Sequence, residues 1–528
     1  MSSHHASIFD DAPGYANYAF TRTPAAATEA IAAGRPSAAL DRPVAHEDEL
    51  AAQAIRRLKA LDVDYGDLRL GRDLHRHVHL SDENLTGHHI SQSEGIGIRA
   101  LVHGYWGFAA TADLTPAGVE RCAERASGMA RAVAASSPGE AALKRDRFAG
   151  EPAHVATFHT PVGLCPFAAD VAELATPFRD AAHIGLAVPG ILRVSAQMAI
   201  YGRRRLFAST DGALILTTHC IVDTLQRFVA VANGTSAYRT VVGSALAGGL
   251  EHYLEADFPG KAQAAAREAV AKCSATKPAP GRYTLILDGH NLALTMHESV
   301  GHPTELDRVL GFELGFAGGS FAGLDKRGTF RYGSPLVNFT ANNRIRFGGA
   351  TVGYDDEGVA CQSFPVIREG ILVGYGTNRE TAHHVGEKRA NGTCRATSWS
   401  DAPIVRIPNL YLEPGLNRLS LATLIADTKD GILMTGRDSF SIDQMRYNFQ
   451  FGADMSYRIR DGRIEEPLRD VIYQSISPDF WGSCDAICDE SEWQMHGVFN
   501  CGKGQPMQAA KMMHGAAPSR FRNIQVGY

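Results

Sequence analysis

The chain predicts an α+β fold in two domains, and three observations lead there. Its 528 residues are too many for one hydrophobic core. The first half mixes stretches of two-residue alternation with stretches of helical periodicity. Beyond residue 283 the chain reads mostly as short strands, punctuated by turns at Glu369-Gly370, Asp430-Gly431 and Asp461-Gly462.

Taken in order, residues 1–45 are rich in Ala, Pro, Ser and Thr and are expected to form a flexible N-terminal arm. Leu50, Ala54, Ile55 and Leu58 recur at helical spacing, so 47–61 is a helix. Residues 65–80 and 88–112 alternate as antiparallel strands with one wet face. A second helix fits 116–134 and stops at Ser136-Ser137-Pro138-Gly139. Residues 167–182 are expected to be helical. Strands at 190–210 and 213–242 are joined at Asp211-Gly212, a hairpin signal, and an alanine-rich helix covers 261–275. Lys277-Pro278-Ala279-Pro280-Gly281 reads as a boundary between an α+β domain (46–276) and a β-rich, antiparallel domain (282–528). That second domain opens with a buried strand, Tyr283-Thr284-Leu285-Ile286-Leu287, and a turn at Asp288-Gly289. A helix then begins at Asn291. No internal repeat is evident.

Composition narrows the function classes. Apolar residues at 45% and charged ones at 21% describe an ordinary globular protein, and a net charge of −5 gives no reason to expect nucleic acid or an anionic membrane as partner. No run of eighteen apolar residues exists, and Met1-Ser2-Ser3-His4-His5 does not begin a signal peptide. Nine cysteines, mostly scattered singly, suit free thiols in a reducing cytoplasm.

The chemistry concentrates in His297-Glu298-Ser299-Val300-Gly301-His302 and in a distant cysteine, Asn500-Cys501-Gly502-Lys503-Gly504. Two imidazoles and a thiolate can hold a divalent metal and leave a fourth position open, with Glu298 at hand to take a proton. The histidines are five apart, not four. At about 3.6 residues per turn they would point about 140° apart on an α-helix, too far round to share one ion. An i→i+5 turn of π type brings them nearly into line. The expectation is a helix over roughly 289–300 that loosens at Gly301, whose freedom helps, with Pro303 turning His302 away from helical angles.

Other constellations compete for a metal. Cys484, Cys488, His496 and Cys501 have the order of a structural zinc knuckle, which would withdraw Cys501 from any catalytic site. His75, His77 and His79 share one face of a regular strand. The adjacent pairs His88-His89 and His383-His384 would point apart in strands, and Asp355-Asp356-Glu357 beside Gly358 reads as a turn rather than a calcium site.

The His-Glu-x-x-x-His segment, Gly353-Tyr354-Asp355-Asp356-Glu357-Gly358 and Phe499-Asn500-Cys501-Gly502-Lys503-Gly504-Gln505 resemble the TldD/PmbA family of metallopeptidases. Asp64-Tyr65-Gly66-Asp67-Leu68 and Glu94-Gly95-Ile96-Gly97-Ile98-Arg99 look like that family's opening strands, so the likeness covers roughly 47–528. The glycine-rich stretch is weakly specific, whereas the histidine motif with the late Cys-Gly-Lys is strongly so. The family has subunits with and without the metal motif, and this chain is similar to the motif-bearing TldD kind. The resemblance implies His297, His302 and Cys501 as ligands of one metal and Glu298 as general base. It further implies unfolded or short peptides as substrates, and either a homodimer or a heterodimer with a motif-lacking subunit. A thiolate with two imidazoles leans towards Zn2+, with Fe2+ open. Two rival functions use the same residues: a metal-dependent amidase or esterase on small molecules, and a non-catalytic scaffold subunit. After His302 the stretch Pro303-Thr304-Glu305-Leu306-Asp307 departs from the family's usual form.

Overall fold

A computed structural model describes residues 24–33, 38–136, 147–243 and 246–527. Part of the expected arm is built: α1 (Ala25–Ala32) and α2 (Ala38–Asp41) precede α3 (Glu47–Ala60), and Leu40 and Val44 are buried. Leu40 reaches the space a Gly202 side chain would occupy, and Arg204 pairs with Asp41, so the segment is tied to the sheet it crosses. Residues 1–23 of the expected arm lie outside the described residues.

The first half is one seven-stranded sheet with helices on it. Its strands are β1 (Tyr65–Ser81), β2 (Asn84–Val102), β3 (Tyr105–Thr111), β4 (Val155–His159), β5 (Ile191–Ser209), β6 (Leu214–Ala232) and β7 (Thr235–Val242), in the order β3-β2-β1-β5-β6-β4 with β7 also on β6. All pairs are antiparallel except β4 with β6. Two stretches expected as single strands each fold into a hairpin. His103-Gly104 and Asn233-Gly234 both take positive φ, the backbone twist that a two-residue hairpin turn requires. The expected wet face is also corrected. The first ten residues of β1 are buried on both sides, because helices cover one face and the second half of the chain covers the other.

Helices α4 (Pro116–Ser136) and α3 cover one end of this sheet, closing a core around Leu68, Leu70, Ile96 and Val119. Helices α5 (Val171–Leu186) and α7 (Phe258–Ser274) cover the other, around Val78, Phe178, Met198 and Phe228. Both begin where an aspartate caps them. Asp170 forms a reciprocal capping box with Glu173, moving the start of α5 past the expected residue 167, and Asp257 caps α7. A short α6 (Leu250–Glu255) and β4 have no counterpart in the sequence expectation.

The second half holds a nine-stranded and a six-stranded sheet. Both are mostly antiparallel, with two parallel pairings: β8 (Gly281–Leu287) with Asp430–Thr435, and Leu410–Leu412 with Gln508–Ala516. The molecule is thus α+β with mixed sheets. β8 lies inside the nine-stranded sheet, and α8 (Gly289–Met296) follows it directly, capped by Asp288, whose carboxylate accepts the Asn291 amide at 2.7 Å. α8 packs on β9 (Gln494–Lys503) and β10 (Gln508–Ala516) of the six-stranded sheet, so it is held between both sheets. β9 is an edge strand. Among the described residues no helix is long and apolar enough to cross a membrane.

Candidate metal centre

The helix that begins at Asp288 changes pitch at the histidine motif. α8 ends at Met296, His297–Gly301 is a π-helical turn, and His302–Thr304 is a 3-10 turn. Widening therefore starts four residues earlier than the expected loosening at Gly301. Two further expectations are corrected. Gly301 has φ −59°, an ordinary helical value, so conformational freedom is not why glycine stands there. A Cβ would lie 2.9 Å from Ile407, so close packing excludes a side chain. His302 keeps helical angles (φ −62°, ψ −42°) despite Pro303. Interactions hold the turn: Ser299 Oγ donates to Thr295 O at 2.6 Å, Trp481 Nε1 donates to Ser299 Oγ at 2.9 Å, and Thr304 Oγ1 donates to Val300 O at 2.7 Å.

The wide turn and the edge strand bring three ligand atoms together. One atom from each of His297, His302 and Cys501 lies within 4.8 Å of the others, and all three residues are buried. A register shift in β9 between Val498 and Cys501 marks a bulge, a device that re-aims side chains beside sites. The Cys501 Sγ is 3.4 Å from His302 Nε2.

The hydrogen-bond network decides which ring nitrogens remain free. His514 Nδ1 lies 3.2 Å from the Leu410 carbonyl, which can only accept, so that nitrogen carries the proton and Nε2 is the acceptor. His297 Nδ1, 2.8 Å away, therefore donates to His514 Nε2, leaving a bare lone pair on His297 Nε2. His302 Nδ1 donates to the Glu305 carboxylate at 2.7 Å, which turns His302 Nε2 towards the Cys501 sulfur. These are the partners that orient metal-binding histidines. Burial holds His297 neutral, pulling it down to about 4 against the opposing pull of Glu298 and Glu305, and it also keeps His514 far below the usual range.

Charges around the cluster are ordered. Burial alone would raise the Cys501 thiol, but His302 and then Arg406 outweigh it and hold it below its ordinary value, towards thiolate. The Arg406 Nη2 stands 3.2 Å from the sulfur. Glu305 is likewise held well below the carboxylate range: burial opposes, and Lys503, at 3.2 Å, and His302 prevail. Glu298 is 7% exposed and bonded to Arg446 at 2.6 Å; despite burial, His302 and Arg446 hold it below its ordinary value. A cleft of about 510 Å³ opens on Glu298, His297, His302 and Cys501, with Arg227, Arg437 and Phe440 on its walls.

The competing constellations do not assemble. Cys484 and Cys488 are buried in the main core with thiols pushed up to about 12, and His496 stacks on His290 at 5.1 Å. His77 and His79 stack at 6.4 Å, and His75 meets Tyr201 edge-on. His383-His384 sits in a 3-10 turn rather than a strand, its rings 4.0 Å apart. Asp355-Asp356-Glu357 is a buried turn that receives arginines from the first sheet. Among the described residues the only group of three or more able to hold a metal is His297, His302 and Cys501. Sequence reasoning missed His514, Arg406 and Arg446, which carry no local signal; Glu305, three residues after His302, was readable as a helical neighbour.

Comparison with known proteins gives the class. Residues 280–527 match the family model described as PmbA/TldA metallopeptidase C-terminal domain, and 66–130 match the one described as PmbA/TldA metallopeptidase domain 1. A metalloprotease of Methanothermobacter thermautotrophicus is 26% identical over 465 residues, 88% of this chain and 96% of that protein. A zinc metalloprotease TldD homolog of Saccharolobus solfataricus is 28% identical over 229 residues, 40% of this chain and 48% of that protein. The crystal structure of TldE from Thermococcus kodakarensis shares the fold at a TM-score of 0.71, with 15% identity, over 91% of this chain and all of that one. The chain belongs to the TldD/PmbA family and is a metal-dependent peptidase.

Proposed function

We propose that the centre hydrolyses unfolded or short peptides, with one zinc ion held by His297, His302 and Cys501 and with Glu298 as general base. The observation that carries this reading is the convergence of two imidazole Nε2 atoms on one cysteine sulfur, each ring fixed by a partner on its opposite nitrogen. The donor set of two imidazoles and a thiolate, with no carboxylate, favours zinc. When bound, zinc supplies Lewis acidity to the scissile carbonyl and makes a water acidic near neutral pH. Glu298, held below its ordinary value beside the same cleft, would serve as the base that accepts a water's proton and returns it to the leaving amine. Arg446 fixes the carboxylate's orientation from one side. Glu305 and His514 position the imidazoles.

Substrate selection follows from the edge strand. β9 has no strand on its outer side, and Asn500 and Gly502 are exposed where it borders the cleft. A peptide added there as a further strand is read through its backbone, whatever its side chains, and folded proteins are refused because their backbones are already paired. Peptides N-methylated on alternate amides should then be poor substrates. We further propose cytoplasmic action, since Cys122, Cys220, Cys273, Cys361, Cys394, Cys484, Cys488 and Cys501 are all free thiols, and assembly as a homodimer or with a motif-lacking homologous subunit, which light scattering alone and in mixture will distinguish.

The test pairs metal content with cleavage of a disordered peptide for wild type and Glu298→Ala. Wild type should hold one metal per chain and cleave, while the variant keeps the metal and loses about 10²–10⁴-fold in rate. A variant that cleaves as fast as wild type removes Glu298 from the reaction.

A further inference from the structure

A second polar cavity lies between the two halves, separate from the metal cleft. It is about 60 Å³ and is lined by Tyr201, Arg203 and His219 from the first sheet and by Arg395 and Lys511 from the second half, with Asp73 as the one carboxylate. The space admits several waters or one small oxyanion. Ala509, also in its lining, is exposed, so the cavity communicates with solvent.

Its charges do not balance. Asp73 meets two arginines through one oxygen, Arg203 Nε at 3.3 Å and Arg205 Nη2 at 3.6 Å, while its Oδ2 has no hydrogen-bond partner; Arg203 also lies 3.9 Å from Asp356. Arg395 is buried, and its Nη1 and Nη2 donate to the backbone carbonyls of Lys511 and Ile407, which neutralise nothing. Its Nε has no partner. Lys511 Nζ lies 3.6 Å from the centre of the Tyr201 ring, and the Asp223 carboxylate is the strongest anionic influence on it. The buried Nε2 of His219 has no partner either. Burial and the neighbouring Arg203 pull Lys511 down to about 8; burial and Arg406 pull Arg395 down to about 10. Asp223 and Asp73 oppose the shift of Lys511, and the Cys361 and Cys501 thiols that of Arg395, without cancelling it. Buried charges are ordinarily paired, and here a void sits where the pair should be.

We propose that this cavity binds a small oxyanion, carboxylate or phosphate in kind, gripped by Lys511, Arg395 and Arg203 with the Nε2 of His219 alongside. Because the grip comes from both halves, the anion ties one to the other and stabilises the native chain by linkage. A free anion and the terminal carboxylate of a peptide offer the same chemistry.

The experiment uses metal-loaded protein. Thermal unfolding and titration calorimetry are followed with sodium phosphate against sodium chloride at matched ionic strength, for wild type, Lys511→Met and Lys511→Arg. Phosphate should raise the midpoint of wild type progressively and of the arginine variant too. The methionine variant should lose the shift while being no less stable than wild type without phosphate, since it sheds an uncompensated charge. No phosphate effect on wild type overturns the proposal. So does an undiminished effect in Lys511→Met, which would place the anion on the metal. Paired substrates with free and amidated C-termini then identify the source. A KM roughly tenfold lower for the free terminus, equalised in Lys511→Met, makes the anion the substrate's own end. Equal KM values with phosphate binding intact make it a free anion.

Discussion

The arginine–carboxylate pairs around Asp67 and Asp356, at the seam between the two halves, and the His297–His302–Cys501 cluster are both buried and both polar, yet they settle their charges in opposite ways. At the seam, Asp67 receives Arg69 at 2.8 Å and Arg99 at 2.5 Å, Arg99 also reaches Glu357 at 3.0 Å, and Arg205 holds Asp356 at 3.0 Å. Each of these carboxylates meets an arginine, and the pairs close on themselves. At the cluster, each imidazole spends one nitrogen on a partner outside the cluster and turns the other towards the remaining cluster atoms. A buried ion pair that closes on itself joins two pieces of structure. A buried group with a lone pair held open marks a place for a ligand.

Breaking the seam should cost fold, and breaking the cluster should cost function. The largest effect is expected at Asp67→Ala, which strands Arg69 and Arg99 in the interior. Unfolding in urea should show a loss of about 3–5 kcal/mol. If stability hardly changes, the seam is more hydrated than its burial indicates. At the cluster, Cys501→Ala should lower the stability of metal-free protein by only about 1 kcal/mol, because a small side chain leaves and Arg406 keeps its carbonyl partners. Metal retention and peptide cleavage should nevertheless be lost together, as mass spectrometry and a peptide assay will show.

Two smaller effects sharpen the contrast. Glu305→Gln and His514→Phe each leave a ligand in place but remove what orients it, so zinc affinity should fall roughly 10–100-fold, read by chelator competition. Unchanged affinity in both would mean the turn alone positions the imidazoles. The seam, in turn, should show itself in acid. Burial opposes ionisation of Asp67, but Arg99 and Arg69 hold it at about 2, below its ordinary 3.8. A carboxyl depressed in the folded state contributes fully above its unfolded value and loses that contribution as pH falls through its folded one. About 2 kcal/mol should therefore disappear between pH ~4 and ~2, and Asp67→Asn should flatten that part of the stability profile.

Much of the secondary structure was legible because its causes are local. The periodicity around Leu50 and Leu58, the hairpin signal at Asp211-Gly212 and the boundary prolines act over a few residues. The misses have equally physical reasons. The turns at His103-Gly104 and Asn233-Gly234 were hidden within long alternating stretches, and the double burial of β1 depends on what lands on the sheet from elsewhere. Gly301 shows the limit best: its neighbour in sequence explains nothing, and Ile407, over a hundred residues on, explains the missing side chain.

By itself the sequence determined the residue types available to a metal and, through the five-residue spacing, that an ordinary helix could not present both histidines to it. Helical pitch is a local constraint, so spacing alone can exclude a geometry. Only the tertiary structure decided that Cys501, 199 residues from His302, should meet it, that His514 and Glu305 should each fix one ring, and that Lys511 and Arg395 should share a cavity whose one lining carboxylate is Asp73. Those outcomes depend on which sheet packs on which helix, and such packing is settled by burial across the whole chain.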